Sequence, residues 1–165
     1  MFSQRFDFND YDEKIDFTIK LCSELAQQFA YEPSVRQLAC DLTATLAPRD
    51  HTGEFQALHA FVRDEIRFIR DTSGVELVQS PDVTTRFAAG DCDDKSTLLA
   101  SLLLAIGFTV AFAVIKTERG RYWAHIYVEV QQDDGEWIPL ETVRDVEPGD
   151  EAEYIEKVRY VLPSE

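Results

Sequence analysis

Basic residues are scarce in this sequence: 16 Lys and Arg stand against 31 Asp and Glu, a net charge of −15. So few cations cannot neutralise a phosphate backbone or settle on anionic lipid, which argues against nucleic-acid and membrane partners. The acidic balance reads as a well-solvated surface rather than the mark of a dedicated basic partner. Cysteine and histidine are also few, three of each, and Cys22, Cys40 and Cys92 are widely spaced. No C-x-x-C pair or Cys/His cluster suggests zinc, and no cofactor is expected. Long apolar runs are missing as well. The longest, Leu98 to Val114, is interrupted by Ser101, Gly107 and Thr109, which excludes a membrane span there. The segment Met1 to Asp7 lacks the basic-then-apolar pattern of a signal peptide, so a cytoplasmic protein is expected, or a virion-associated one if the source is a phage. There is no repeat, low-complexity tract or linker.

What is present suits one folded domain. Apolar residues make up 45% and aromatics 12% of 165 residues, enough for a real core. Helical spacing runs through Asp16–Ala30, then from Pro33 to about Leu46, where Pro48 closes the helix, and from about Gly53 to Ile69. The third helix is expected to bury Phe55, Leu58, Phe61, Val62, Ile66 and Ile69. Cys22 and Cys40 fall within these helices and read as small core residues, and His59 as a structural or surface histidine. Asp71 to Gly90 reads as a long connection with a short strand at Val75–Val78. A helix Cys92–Ile106, apolar on nearly every side beyond its first turn, reads as central and buried, with Gly107 stopping it. Asp91 and Asp94 have the spacing of a capping box. Three strands follow, Phe108–Lys116, Tyr122–Gln131 and Glu136–Val143, with turns at Glu118-Arg119-Gly120 and Asp133-Asp134-Gly135. Alternation of Val158, Tyr160 and Leu162 allows a final edge strand. Helices first and an antiparallel sheet second make an α+β domain.

Three residues carry chemistry. A thiol in the first turn of a helix feels partial positive charge and has backbone N–H groups beside it, which favour a thiolate and an oxyanion. Asp91, Asp93 and Asp94 oppose this for Cys92, so an imidazole partner is needed. In the second strand Trp123, His125, Tyr127 and Glu129 alternate with Ala124, Ile126, Val128 and Val130; the latter face is core, leaving His125 on the more polar face, where it can act as a base. Glu141 lies on the following strand. Gly135 after Asp133-Asp134 favours a three-residue turn with glycine in αL, which puts positions 125 and 141 on one face, directly opposite or one diagonal step apart, whereas a two-residue loop would send them to opposite faces. Each residue alone has a plain structural alternative: a core cysteine, a half-exposed strand histidine, a solvated carboxylate.

Taken together, Gly90-Asp91-Cys92-Asp93-Asp94-Lys95 opening a buried helix, the helix end Ala105-Ile106-Gly107-Phe108, the strand His125-Ile126-Tyr127-Val128-Glu129 and the strand Trp137-Ile138-Pro139-Leu140-Glu141 resemble the transglutaminase-like superfamily, most of all its compact bacterial and bacteriophage members. The upstream helix through Arg63-Asp64-Glu65-Ile66-Arg67-Phe68 also fits, so the resemblance covers roughly Phe55 to Thr142. It implies a papain-like core with the cysteine helix packed on the antiparallel sheet. It also implies a protein or peptide amide substrate, and a Cys92–His125–Glu141 triad working through a thioester resolved by water or an amine. Such an enzyme would be a protease, deamidase or transamidase. The family usually has Asp where this chain has Glu141, a longer arm that can still orient an imidazole. Calcium, which some larger transglutaminases need, is not expected, because consecutive acids at a helix start serve as caps and dipole partners. The resulting organisation is a single domain, with residues 1–52 an N-terminal helical extension, 53–143 the core, and 144–165 an acidic tail or edge strand. The other reading is a catalytically inactive structural or interaction protein of the same fold, for instance in phage particle assembly. Cys92 as a nucleophile predicts a thiol pKa below the reference of about 8.5. Gln79 is a candidate second oxyanion donor.

Overall fold

The computed structural model describes residues 11–70, 77–117 and 123–163. Within them the chain runs α1 (Tyr11–Ala30), α2 (Pro33–Thr43), α3 (His51–Glu65), β1 (Arg67–Phe68), α4 (Pro81–Phe87), β2 (Ala89–Gly90), α5 (Cys92–Ala105), β3 (Val110–Lys116), β4 (Trp123–Gln131), β5 (Trp137–Leu140) and β6 (Glu156–Val161). Helix α5 is the axis of the molecule. Its residues from Asp93 to Leu103 are all buried, and α1, α2, α3, α4 and the sheet pack around it. That explains its lack of a polar side: every face meets another element. The apolar stripes of α1 (Ile19, Cys22, Ala26) and α3 (Phe55, Leu58, Val62) join Leu98, Leu99 and Leu102 in one core that continues into Val110, Phe112, Val128 and Val130 of the sheet.

The sheet has the order β5-β4-β3-β6, all antiparallel. β3, β4 and β5 form the expected meander, and β6 returns to pair with the far edge of β3. At the β4–β5 turn the N–H of Gly135 donates to the Gln132 carbonyl at 2.9 Å, and Gln132 N–H donates to Glu136 O at 2.8 Å. Gly135 sits at φ +89°, so the three-residue loop with left-handed glycine is realised. The opposite face of the sheet buries Ala113, Ile115 and Tyr127, with Ala152 packed on them.

Several expectations are corrected. Helix α1 begins at Tyr11, earlier than Asp16. Helix α3 ends at Glu65, and Ile69 lies exposed beyond it. Ile66 turns extended because the next two residues pair in parallel with β2, and the buried ammonium of Lys95 takes the carbonyls of Ile66 (2.6 Å) and Arg63 (3.3 Å). A cation at these carbonyls ends the helix favourably. Cys40 is exposed rather than core, on the outer side of α2. The long connection contains α4: Ser80 is its N-cap residue and Pro81 its first position. Leu77 and Val78 are irregular, while Val75, Glu76 and the turn Glu118-Arg119-Gly120 lie outside the described residues. Among the described residues no helix is long and apolar enough to cross a membrane.

Candidate active site

The start of α5 is built around its carboxylates. Asp91 accepts from the N–H of Asp94 (3.4 Å), and Asp94 accepts from the N–H of Asp91 (3.2 Å), so the capping box forms with Asp in both roles. Asp94 also accepts from Gln79 twice, at the backbone N–H and the side-chain amide, each at 2.6 Å. Burial and the nearby Asp91 charge push the Asp94 carboxyl up to about 6 against these donors. Gly90 is required by the same carboxylate, since a Cβ there would lie 2.5 Å from Asp94 Cβ. This crowding holds the turn that presents Cys92.

Cys92 is half-buried and shares a cleft of about 210 Å³ with His125. Lys14, Ile15 and Thr18 of α1 form one wall, and Trp123 and Ile126 of β4 line another part. Burial, then Asp93 and Asp91, raise the Cys92 thiol well above its ordinary value, although backbone N–H groups of Ile126 and Asp93 act the other way. The expectation of a lowered thiol pKa is therefore corrected: the resting form is a neutral thiol. Ligand atoms of Asp91, Cys92 and Asp93 lie within 4.8 Å of one another, but the Asp91 carboxylate already caps the helix.

His125 and Glu141 meet directly. With Val128 opposite Leu140 and Gln131 opposite Trp137, the register sets Glu141 one diagonal step from His125, and Nε2 lies 2.5 Å from Glu141 Oε2. Glu141 is 1% exposed and His125 18%, so the carboxylate is sealed behind a ring that still reaches the cleft. Burial raises the Glu141 carboxyl, but its bond to the His125 ring and the N–H of Val143 (2.8 Å) bring it below the ordinary carboxylate range. An ionised carboxylate only accepts, so Nε2 carries the hydrogen of this contact, and in an uncharged ring the lone pair would then sit on Nδ1.

One face assignment fails. A β-bulge pairs Ile115 with His125 but Lys116 with Trp123, making Ala124 the extra residue. Trp123 consequently packs with the core on the α5 side and lines the cleft beside Val114, instead of sharing the face of Tyr127. Glu129 is fully buried on the other side, paired with Lys157 (2.8 Å) and Arg159. Gln79 is committed to Asp94 and Ala89 O and does not line the cleft, so it is no longer a candidate oxyanion donor. His59, read as structural or surface, is buried, and its Nε2 lies 2.6 Å from the backbone carbonyl of Glu141. A signal for this was present: position 59 falls inside the apolar stripe 55-58-59-62-66.

Comparisons with known proteins bear on the fold and the family. No curated protein matches the sequence. Two similar solved structures are a candidate protease of Parabacteroides distasonis (TM-score 0.58, 13% identity) and a candidate cysteine protease of Cytophaga hutchinsonii (TM-score 0.53, 15% identity). They cover 75% and 80% of this chain, which spans only 26% and 52% of theirs, so the likeness is one of fold. Residues 36–142 match the transglutaminase-like superfamily, reaching upstream into α2 beyond the segment the motifs cover. With that match spanning more than half of its residues, the chain belongs to the transglutaminase-like superfamily.

Proposed function

We propose that the protein is a cysteine hydrolase or acyltransferase acting on protein or peptide amides, with Cys92 as nucleophile, His125 as general base and Glu141 orienting the imidazole. The observation that carries this is the Nε2–H···Oε2 contact of 2.5 Å behind a ring that lines the same cleft as Cys92. Because the thiol rests neutral, His125 Nδ1 takes the Sγ proton as sulfur attacks the amide carbonyl carbon. The carbonyl π electrons move onto oxygen, and the backbone N–H of Cys92 supplies part of the oxyanion hole. Collapse expels the amine, which receives the proton from His125 and leaves a thioester on Cys92. Water or an amine then attacks the thioester and gives a proton to His125, which passes it to the departing Cys92 thiolate. Glu141 stabilises the imidazolium at both stages and fixes which nitrogen faces the cleft.

The experiment uses iodoacetamide labelling followed over pH by peptide mass spectrometry. Cys22, wholly buried, should stay unlabelled, and exposed Cys40 supplies an internal reference outside the cleft. Cys92 labelling should climb with pH without an acidic plateau, and His125→Ala should slow it by about tenfold or more while leaving Cys40 unchanged. Labelling of Cys92 that ignores the loss of His125 would favour the inactive interaction module instead. The raised thiol gives that second reading its one physical support.

A further inference from the structure

Helix α3 reaches the site at a point that the three residues above do not use. His59 is buried with 1% exposure, in the apolar stripe between Phe55 and Val62. Its Nε2 lies 2.6 Å from Glu141 O, and a carbonyl only accepts, so the ring holds its hydrogen on Nε2 and donates. Glu141 is thereby gripped at three points: its carbonyl by His59, Oε1 by Val143 N–H at 2.8 Å and Oε2 by His125 at 2.5 Å. The same helix is tied to the nucleophile's helix, because Lys95, three residues after Cys92, donates to Ile66 O and Arg63 O. Arg63 in turn donates to Val146 O at 2.9 Å, holding the chain just beyond Glu141.

We propose that His59 is a positioning residue that sets the backbone of Glu141, so that a carboxylate one methylene longer than the family's usual Asp meets His125 in a single orientation. This rests on the reading of Cys92, His125 and Glu141 given above. The physical argument concerns reach. A longer side chain has one more rotatable bond, so its carboxylate is placed only if both ends of the residue are held. His59 and Val143 supply the two anchors that β-sheet pairing, which stops at Leu140, no longer provides. Burial lowers the His59 pKa against the opposing bond to Glu141 O, while Arg63 on one side and Glu147 and Asp64 on the other partly offset, which favours an uncharged ring that donates through Nε2.

Nitrogen-15 histidine labelling of the full chain, read by long-range proton–nitrogen correlation, tests this. His59 should appear as a neutral Nε2–H tautomer at neutral pH; an Nδ1–H tautomer or an imidazolium overturns the inference. In His59→Leu the His125 ring signals should move and Cys92 alkylation should slow by about tenfold, since small misplacements of a catalytic group are costly in rate. His59→Gln places an amide N–H where the ring N–H was and should restore the wild-type pH profile of alkylation. If His59→Leu does not fold, the tautomer and the Gln variant still decide: a folded Gln variant with a disturbed His125 overturns the inference. Unmoved His125 signals in His59→Leu, with Cys92 still dependent on His125, overturn it alone. A Cys92 indifferent to His125 overturns the catalytic reading beneath it.

Discussion

A carboxylate as deeply buried as Glu141 stays ionised only because both oxygens have donors, the ring of His125 and the N–H of Val143. Removing the charge while keeping the shape therefore isolates its role. Glu141→Gln should cost about a hundredfold or more in Cys92-dependent turnover, because the amide can offer N–H to Nε2 and favour the wrong tautomer. Glu141→Asp keeps the charge, but the shorter arm cannot hold Val143 and His125 together from the same backbone position. A loss of about tenfold is expected, measured as turnover of a peptide amide or as His125-dependent alkylation. Equal activity of the Asp variant would mean that the extra methylene is immaterial. At this scale the residue types and their spacing were readable, whereas the bulge that moved Trp123 was not, since alternation cannot reveal an inserted residue.

The element that matters most is the β2–α5 junction. Its N-cap spacing is visible in the string Gly90-Asp91-Cys92-Asp93-Asp94, but the reason for the glycine is not: Asp94, four residues on, folds back over it. Gly90→Ala would force its new Cβ into Asp94 Cβ at 2.5 Å, so the backbone must shift. A loss of about 1–3 kcal/mol is expected in urea denaturation, the range for overpacking, with slower Cys92 labelling because the cysteine moves too. A neutral effect on both would show that the turn yields easily. Helix α4 illustrates the opposite difficulty. Ser80-Pro81-Asp82 is a helix-start pattern, yet seven residues are too few for periodicity to reveal, and proline inside a long connection also reads as a breaker.

For the whole molecule, the acidic chain must hold its returning strand β6 against strong self-repulsion. Buried Glu129 on β4 binds Lys157 and Arg159 of β6, and the Tyr127 hydroxyl donates to Glu151 in the segment between. Burial would raise the Glu129 carboxyl, but Arg159 and Lys157 hold it below its ordinary range, as His125 does for Glu141. A depressed folded pKa means that the unfolded chain binds the proton first. The stabilisation is thus complete above the unfolded carboxylate pKa and is lost as pH falls through the folded value. Stability should decline on acidification across that window. Glu129→Gln should cost about 3 kcal/mol at neutral pH, because Arg159 loses its carboxylate and Lys157 keeps only Glu151 of its two, and should flatten the acid slope. A variant with an unchanged slope would exclude Glu129 as its source.

The sequence alone determined the central helix and the meander and favoured the three-residue turn, because hydrophobic period, caps and glycine φ are local properties that each segment carries within itself. It also placed Cys92, His125 and Glu141 in order, with a three-residue turn allowing Glu141 to reach His125. Tertiary structure alone decided which of the allowed registers formed, where α3 stopped, and that Cys40 faces water while His59 faces the core. It also decided the protonation of the nucleophile. The opposing carboxylates Asp91 and Asp93 are already visible beside Cys92 in the sequence, but burial, the larger cause of the raised thiol, is not. Desolvation depends on everything packed around a group, and no local pattern encodes it.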